Sequence, residues 1–162
     1  MSDAAFRLGQ FLAVADVVHI GYCNDLRGGD VPPTLIGNSV LAVAGADPVR
    51  ALSILQTRLK PYLAWAKRAD FIFAKAANEE RQGNKGRAIA LRQGVSHARR
   101  AEDIAADLHT MLAPYRNRSQ NPDDSFRAEL LLGYVAGLRP AKRADDPPDN
   151  EMNEITIKDK GE

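Results

Sequence analysis

Positive side chains are concentrated in the middle third of the chain. Residues 50–100 contain twelve Lys or Arg and three acidic residues, a net charge of +9, whereas the whole 162-residue chain has a net charge of only +1. Cationic side chains at this density attract polyanions, because they neutralise phosphates and release bound counterions. These residue types therefore predict electrostatic binding of a phosphate backbone, without reading of its base sequence.

Helical spacing arranges part of this charge in stripes. Lys85, Arg92 and Arg99 recur every seven residues, so on an α-helix they drift by only about 20° per step and share one face. The preceding segment repeats cations at similar spacing, and two neighbouring antiparallel helices would pool both sets in one groove. The predicted nucleic-acid-binding residues are Arg58, Lys60, Lys67, Arg68, Lys75, Lys85, Arg87, Arg92, Arg99 and Arg100.

Four aromatic rings lie between these cations in the sequence. An exposed ring at such a place stacks on the bases of a single strand. Tyr62 and Trp65 are the better candidates for stacking, and Phe71 and Phe73 are the others. The favoured interpretation, however, is that all four rings fill the core of a chain in which only 6% of the residues are aromatic.

No residue pattern predicts catalysis. His19 and Cys23 are four residues apart and could share a metal ion, but a zinc site needs further ligands, so a packed histidine and a buried thiol are favoured. His97 and His109 are twelve residues apart, about 120° around a helix, and do not share a face. The glycine-rich stretches have neither P-loop nor Rossmann spacing. We therefore predict a non-enzymatic protein without a metal or cofactor.

The elements that must position these residues are predicted to be helices. Ala, Leu and Arg are abundant, and no segment shows the period of two that is typical of strands. The fold class is therefore predicted to be all-α, a bundle of five or six helices. The predicted elements are a helix over about 4–23, a loop at 24–33, a short helix within 34–46, one bent helix or two in tandem over 48–82, a helix over about 87–113 and a last helix from about 121 to 140.

Local signals set several of these boundaries. Asp47 followed by Pro48 is typical of a helix N-terminus. Pro61 is expected to kink or end the helix that starts there, because proline lacks a backbone donor and clashes with the preceding turn. In the helix over 87–113, the residues predicted to face inward are Ile89, Ile104, Leu108, Met111 and Leu112.

Residues 1–140 form the predicted helical bundle domain, and residues 141–162 are predicted to be a disordered acidic tail. Residues 144–162 contain two basic and seven acidic residues, too polar a set to offset the entropy lost on ordering. No apolar run approaches the roughly 18–20 residues that span a bilayer, and the first residues do not resemble a signal peptide. Together with a single cysteine, these features favour a cytoplasmic location.

Three short stretches together are similar to part of a known protein family. They are residues 8–14 (LGQFLAV), residues 37–39 (GNS) followed by the proline-led helix at 47–55, and residues 131–134 (LLGY). In the same order and at roughly the same spacing, they resemble LGRLFAV, GSAS and ALGYY in the C-terminal helical region of the large subunit of type I-C CRISPR Cascade complexes. The chain departs from that family at Val135-Ala136, where Tyr-His-Gln would follow.

In that family the C-terminal helical region is also made as a separate polypeptide, the small subunit of the complex. The resemblance therefore implies a non-catalytic helical protein, more than one copy of which packs along the backbone that carries the guide RNA. It implies as partners the backbone and large subunits, the guide RNA and the target DNA, whose duplex and displaced strand the small subunit helps to hold.

Three hypotheses from different classes remain at this point. The first is a small subunit of a CRISPR surveillance complex, whose predicted cations contact nucleic-acid backbones while base pairing reads the target. The second is a helical adaptor whose basic face binds an acidic protein. The third is a metal-dependent helical enzyme built on His19 and Cys23.

Overall fold

The computed structural model describes residues 3–26 and 34–139. All regular structure in these ranges is α-helical, which confirms the predicted all-α bundle. There are seven helices in the described ranges, because the segment 48–82 forms two and a four-residue helix follows the fifth. The predicted tail at 141–162 lies outside the described residues. The helices are α1 (Asp3–Leu26), α2 (Ile36–Ala46), α3 (Pro48–Ala66), α4 (Ala69–Arg81), α5 (Lys85–Met111), α6 (Ala113–Arg116) and α7 (Asp124–Gly137).

The first helix, α1, forms the centre of the bundle. It packs against α2, α3, α5 and α7, with Leu8, Phe11 and Leu12 almost fully buried. By length and composition α1 is apolar enough to cross a membrane, so the expectation that no stretch approaches that length was wrong. About two-thirds of its apolar stretch is buried inside the bundle, as in the core helix of a folded domain.

Two helices begin with an aspartate side-chain cap, and the cap at Asp47 lies where the sequence predicted it. The carboxylate of Asp47 accepts a hydrogen bond from the backbone N–H of Arg50 at 3.1 Å, at the start of α3. At the start of α7, the carboxylate of Asp123 accepts one from the N–H of Phe126 at 2.8 Å. Both side chains satisfy backbone donors that have no partner inside the helix. The end of α1 differs from the prediction, since residues 24–26 belong to the helix and not to a loop.

The break between α3 and α4 is not at the proline. Pro61 lies inside α3, which continues to Ala66 before the chain breaks at Lys67 and Arg68. Pro61 and Thr57 are both exposed, so water can reach the Thr57 carbonyl, which has no N–H donor from Pro61. Pro61 therefore does not end the helix, and the predicted segment 48–82 is two helices in tandem.

The buried stripe of α5 excludes Ile89. Ala88, Leu91 and Val95 are buried at spacings of three and four, and Ile89 lies one residue away from this stripe. Its side chain is 48% exposed, so the prediction that it faces inward was wrong. The other residues predicted to face inward, Ile104, Leu108, Met111 and Leu112, are buried or half-buried.

Glycines allow α7 and α2 to approach α1 closely. A side-chain carbon on Gly133 would overlap the backbone carbonyl of Phe6, and one on Gly37 would overlap the backbone carbonyl of Leu12. Gly9 of α1 is equally constrained by the backbone of α7. The helices are therefore in backbone contact at these points, and larger side chains would force them apart.

The buried carboxylate of Asp16 joins the same three helices. It accepts hydrogen bonds from the N–H groups of Gly37 (2.6 Å) and Asn38 (3.0 Å) and from the hydroxyl of Tyr134 (2.6 Å). Leu35, which precedes α2, has no side-chain cap, so Asp16 caps this helix from α1. We call this region the three-helix contact; its residues are Gly9, Asp16, Gly37, Gly133 and Tyr134.

Candidate nucleic-acid interface

The antiparallel helices α4 and α5 carry six of the ten predicted cations. They are joined by a short turn in which Gly83 has φ +87°, a left-handed conformation that glycine adopts without strain. Glu80 pairs with Arg92 at 2.7 Å, and the Phe73 ring lies 5.9 Å from the guanidinium of Arg99. The C-terminal residues of α4 therefore face the N-terminal half of α5, and its earlier residues face later residues of α5, as expected of an antiparallel pair.

Three of the ten predicted cations form ion pairs with the protein's own acidic side chains. The spacing of cations in the sequence did not reveal these partners, because each acid lies on a different helix from its cation. A paired cation has less charge to offer a ligand. The pairs are Arg92 with Glu80 (2.7 Å), Arg87 with Glu79 (3.1 Å) and Lys75 with Asp25.

Asp25 organises the junction of three helices beside this surface. Its carboxylate, at the end of α1, accepts hydrogen bonds from Lys75 of α4 and from the indole N–H of Trp65 of α3 (2.8 Å). Burial alone would raise the pKa of Asp25, but these hydrogen bonds and the charges of Lys75 and Arg87 lower it below its usual value. Asp25 is therefore held ionised, and Lys75 has a structural role.

A groove lies between α3 and α5, which pack only lightly against each other. It consists of two adjoining cavities of about 270 and about 340 Å³, both lined by Leu63 and Glu102. Lys67 and Arg99 line the first cavity, and Lys60 lines the second. We call this the basic groove. Its apolar lining consists of Phe11, Leu59, Leu63, Ala66, Ala69, Val95, Ala98, Ala101, Ala105 and Ala106.

The groove retains positive charge that the protein does not neutralise. Lys60, Lys67 and Arg99 form no ion pair with any residue in the described ranges. Lys60 and Lys67 are exposed, as is Arg99, and Glu102 is the one acidic residue among the groove residues described. The groove therefore carries three cations against one carboxylate.

Phe71 is the aromatic side chain that meets the requirements for base stacking. It is 53% exposed, and its ring centroid lies 4.8 Å from the guanidinium carbon of Arg68 and 5.3 Å from the ammonium of Lys75. Such a ring can stack on a base while Arg68, which forms no ion pair with a described residue, contacts an adjoining phosphate. The sequence offered a signal for this site, since Arg68 lies three residues before Phe71 and Lys75 four residues after it.

The preference for Tyr62 and Trp65 as stacking residues was wrong. Trp65 is 7% exposed and donates its indole N–H to Asp25. Tyr62 packs against His19, with ring centroids 4.7 Å apart, and against Tyr22 at 4.8 Å. Both rings contribute to the core between α1 and α3, as the interpretation favoured from the sequence predicted.

The remaining predicted cations do not join the basic groove. Arg58 donates a hydrogen bond to the hydroxyl of Ser39 at 3.1 Å and so faces α2. Lys85 is exposed at the start of α5, fourteen residues from Arg99, or about 21 Å along the helix axis. Arg100 is half-buried on α5. The ten residues therefore form a dispersed surface, of which the groove and the Phe71 site are the concentrated part.

His97 is buried between α5 and the end of α7. Its Nδ1 lies 2.9 Å from the carbonyl of Gln93, and its Nε2 lies 3.3 Å from the carbonyl of Arg139. Burial, with a smaller effect of the charge of Arg100, lowers the pKa of His97. The imidazole thus holds the residues after α7 against the middle of α5, and its role is structural.

No cluster of metal-ligating side chains is found in the part of the chain that the structure describes. No group of three or more His, Cys, Asp or Glu side chains there is arranged to hold a metal ion. His19 stacks on Tyr62, and Cys23 is buried within α1. The two residues of the metal hypothesis therefore lie in packed surroundings.

Neither protein-family models, nor curated protein sequences, nor solved structures give a significant match to this chain.

Proposed function

We propose that this protein is a non-catalytic, nucleic-acid-binding helical subunit, specifically a small subunit of a type I-C-like CRISPR surveillance complex that acts in antiviral defence. The observation that carries the nucleic-acid part is the pairing of the basic groove with the exposed Phe71 ring between Arg68 and Lys75. The type of complex rests on the resemblance of three short stretches to the type I-C family.

The chemistry of this surface suits single-stranded or opened nucleic acid. Lys60, Lys67 and Arg99 supply charges that bind phosphates without reading a sequence, and Phe71 supplies a ring on which any base stacks. In the proposed complex, guide and target pair with each other, and this subunit stabilises the separated strands electrostatically. Its proposed partners are the backbone and large subunits, the guide RNA and the target DNA. More than one copy acts in each complex, in the cytoplasm.

A charge-removal experiment tests this proposal. Changing Lys67, Arg68 and Arg99 together to Gln removes three cations from the groove and the Phe71 site. We expect the affinity of the isolated chain for a labelled single-stranded DNA to fall by roughly tenfold or more at low salt. The slope of log K against log salt should fall by about 2, because each phosphate contact on a single strand contributes about 0.7. Fluorescence anisotropy over a salt series measures both quantities.

A matched control separates local contacts from net charge. Arg50, Arg116 and Arg118 line a different cavity of about 350 Å³ between α3 and α6, and all three are exposed. Changing them to Gln removes the same charge elsewhere, and the loss of affinity should be much smaller. Equal losses in both triple variants would contradict the assignment to the groove. The same pair of variants in the reconstituted complex, tested by filter binding to target DNA, examines the role in that assembly.

The apolar lining of the basic groove favours one alternative, a helical adaptor that binds an acidic protein. Leu59, Leu63 and Val95 offer apolar contact area that a phosphate backbone does not use. Titrating the isolated chain with single-stranded DNA at low salt distinguishes the two functions. An adaptor shows no binding, whereas the proposed subunit shows weak binding that decreases with salt.

A further inference from the structure

The basic groove has two properties that a nucleic-acid strand alone does not explain. Its lining is largely apolar, and its three cations, Lys60, Lys67 and Arg99, are exposed. A peptide with acidic and apolar side chains in alternation satisfies both properties, because its carboxylates pair with the cations while its apolar side chains displace water from the floor. The lining of the groove is therefore chemically complementary to an acidic peptide segment that also carries apolar side chains.

We infer that residues 144–157 of this same chain dock in the basic groove. This segment carries five acidic residues and no Lys or Arg. It also contains Met152 and Ile155, three residues apart, which alternate with Glu151 and Glu154. Its five negative charges complement the net positive charge of Lys60, Lys67 and Arg99 with Glu102.

The point at which the chain leaves α7 makes this contact reachable. The carbonyl of Arg139 lies 3.3 Å from His97 Nε2, so the segment starts beside the middle of α5. Val95 and Arg99, two residues to either side of His97, line the groove on another side of the same helix. The path around a helix about 10–12 Å in diameter is roughly 15–20 Å. Residue 144 can lie up to about 18 Å from Arg139 when the chain is extended, which reaches the near edge of the groove, and residue 151 can lie up to about 40 Å away.

Docking of this segment has a regulatory consequence. Its carboxylates occupy the cations that a phosphate backbone needs, so nucleic acid must displace the segment before it binds the groove. Low salt strengthens both contacts, and the tethered segment competes at a high local concentration. This consequence rests on the proposed function, whereas the docking itself does not.

Disulfide trapping in the full-length chain tests the docking directly. Ala106 is exposed and lines the groove, so Ala106→Cys with Glu154→Cys places one thiol in the groove and one in the segment without removing a groove cation. The matched control is Ala128→Cys with Glu154→Cys, since Ala128 is exposed on α7 and nearer to Glu154 in sequence. Native Cys23 is buried in both variants.

We expect the groove pair to form its intramolecular disulfide at least about tenfold faster than the control pair in dilute protein at low salt. Changing Asp145, Asp146, Asp149 and Glu151 to their amides should abolish this preference. Equal rates in the two pairs would overturn the docking. Disulfide-linked dimers as the main product would also overturn it, because they would assign the groove to a second copy of the chain.

Removal of residues 144–162 then tests the regulatory consequence. The truncated chain should bind single-stranded DNA about tenfold more tightly than the full chain at low salt, with the difference reduced as salt screens the contact. Fast trapping combined with no DNA binding by either chain would support the docking and contradict the proposed function. Fast trapping with equal DNA affinity of the two chains would contradict the regulatory consequence alone.

Discussion

The three-helix contact and the basic groove use polar chemistry in opposite ways. In the three-helix contact, Asp16 is fully buried and meets three donors, and glycines let backbones touch. In the groove, Lys67 and Arg99 are exposed and form no ion pair with a described residue. The carboxylate of Asp16 in the three-helix contact is fully hydrogen-bonded, whereas the groove cations have no acidic partner within the described residues.

This difference separates the stretches of sequence that determine packing from those that determine binding. Residues 8–14, 37–39 and 131–134, on which the family resemblance depends, supply Gly9, Gly37 and Gly133 to the three-helix contact. None of these stretches contributes a cation to the groove. Similarity in these stretches therefore reports a packing requirement, and binding must be tested on other residues. Substitutions should damage stability in the first region and binding in the second.

Gly133→Val should have the largest effect. The added side chain overlaps the backbone of Phe6, so α1 and α7 must separate, at a cost of about 3 kcal/mol or more in unfolding free energy. Urea unfolding followed by circular dichroism measures this loss. Gly86→Ala is the control, since Gly86 has open space around it, and it should be neutral or stabilise by up to about 1 kcal/mol. Similar midpoints for the two variants would show that the helices are not in backbone contact.

Asp16→Ala should have the next largest effect on stability. It removes the acceptor for the N–H groups of Gly37 and Asn38 and for the Tyr134 hydroxyl, so we expect a loss of about 2–4 kcal/mol in unfolding free energy. The same unfolding experiment measures it. Binding of single-stranded DNA, measured where the variant remains folded, should be unchanged. A loss of binding without a loss of stability would break the distinction between the two regions.

Phe71→Ala should weaken binding of single-stranded DNA and leave stability almost unchanged. We expect a loss of about 1–3 kcal/mol in binding to single-stranded DNA, as for removal of one base-stacking ring. Because the ring is 53% exposed, the unfolding free energy should change by less than about 0.5 kcal/mol. Phe71→Trp should retain binding, and Phe71→Leu, which keeps apolar area but not the ring, should not. Full affinity in Phe71→Leu would rule out stacking.

The smallest expected effect is a difference in pH dependence between two buried carboxylates. Burial raises the pKa of Asp16 above 3.8, so its contribution to stability is fully present below that pH and is lost as pH rises through its folded-state pKa. The pKa of Asp25 is lowered from 3.8, so its contribution is present above that pH and is lost as pH falls through its folded-state pKa. Unfolding free energies of Asp16→Asn and Asp25→Asn, relative to the unaltered protein over about pH 3 to 7, should therefore change in opposite directions. Slopes of the same sign would contradict the described environments.

Much of the fold was predictable from local signals, and much of the site was not. Asp47-Pro48 and Asp123 begin helices because capping depends on neighbours three residues away. The environments of Trp65 and Arg92 depend on Asp25 and Glu80, which only the tertiary fold brings near. Asp16 gave a usable signal, as an acidic residue within an apolar helix, where a buried carboxylate must find partners.

The attachment of α4 has a consequence for local unfolding. This helix packs mainly on α5, whereas α1 packs on four other helices. Opening of α4 therefore exposes less apolar surface, and its amide hydrogens should exchange with solvent sooner than those of α1. The Phe71 ring thus sits on a helix that we expect to be less protected than α1. A ligand that engages this ring would slow hydrogen exchange in α4 first, which gives a way to detect binding before the ligand is identified.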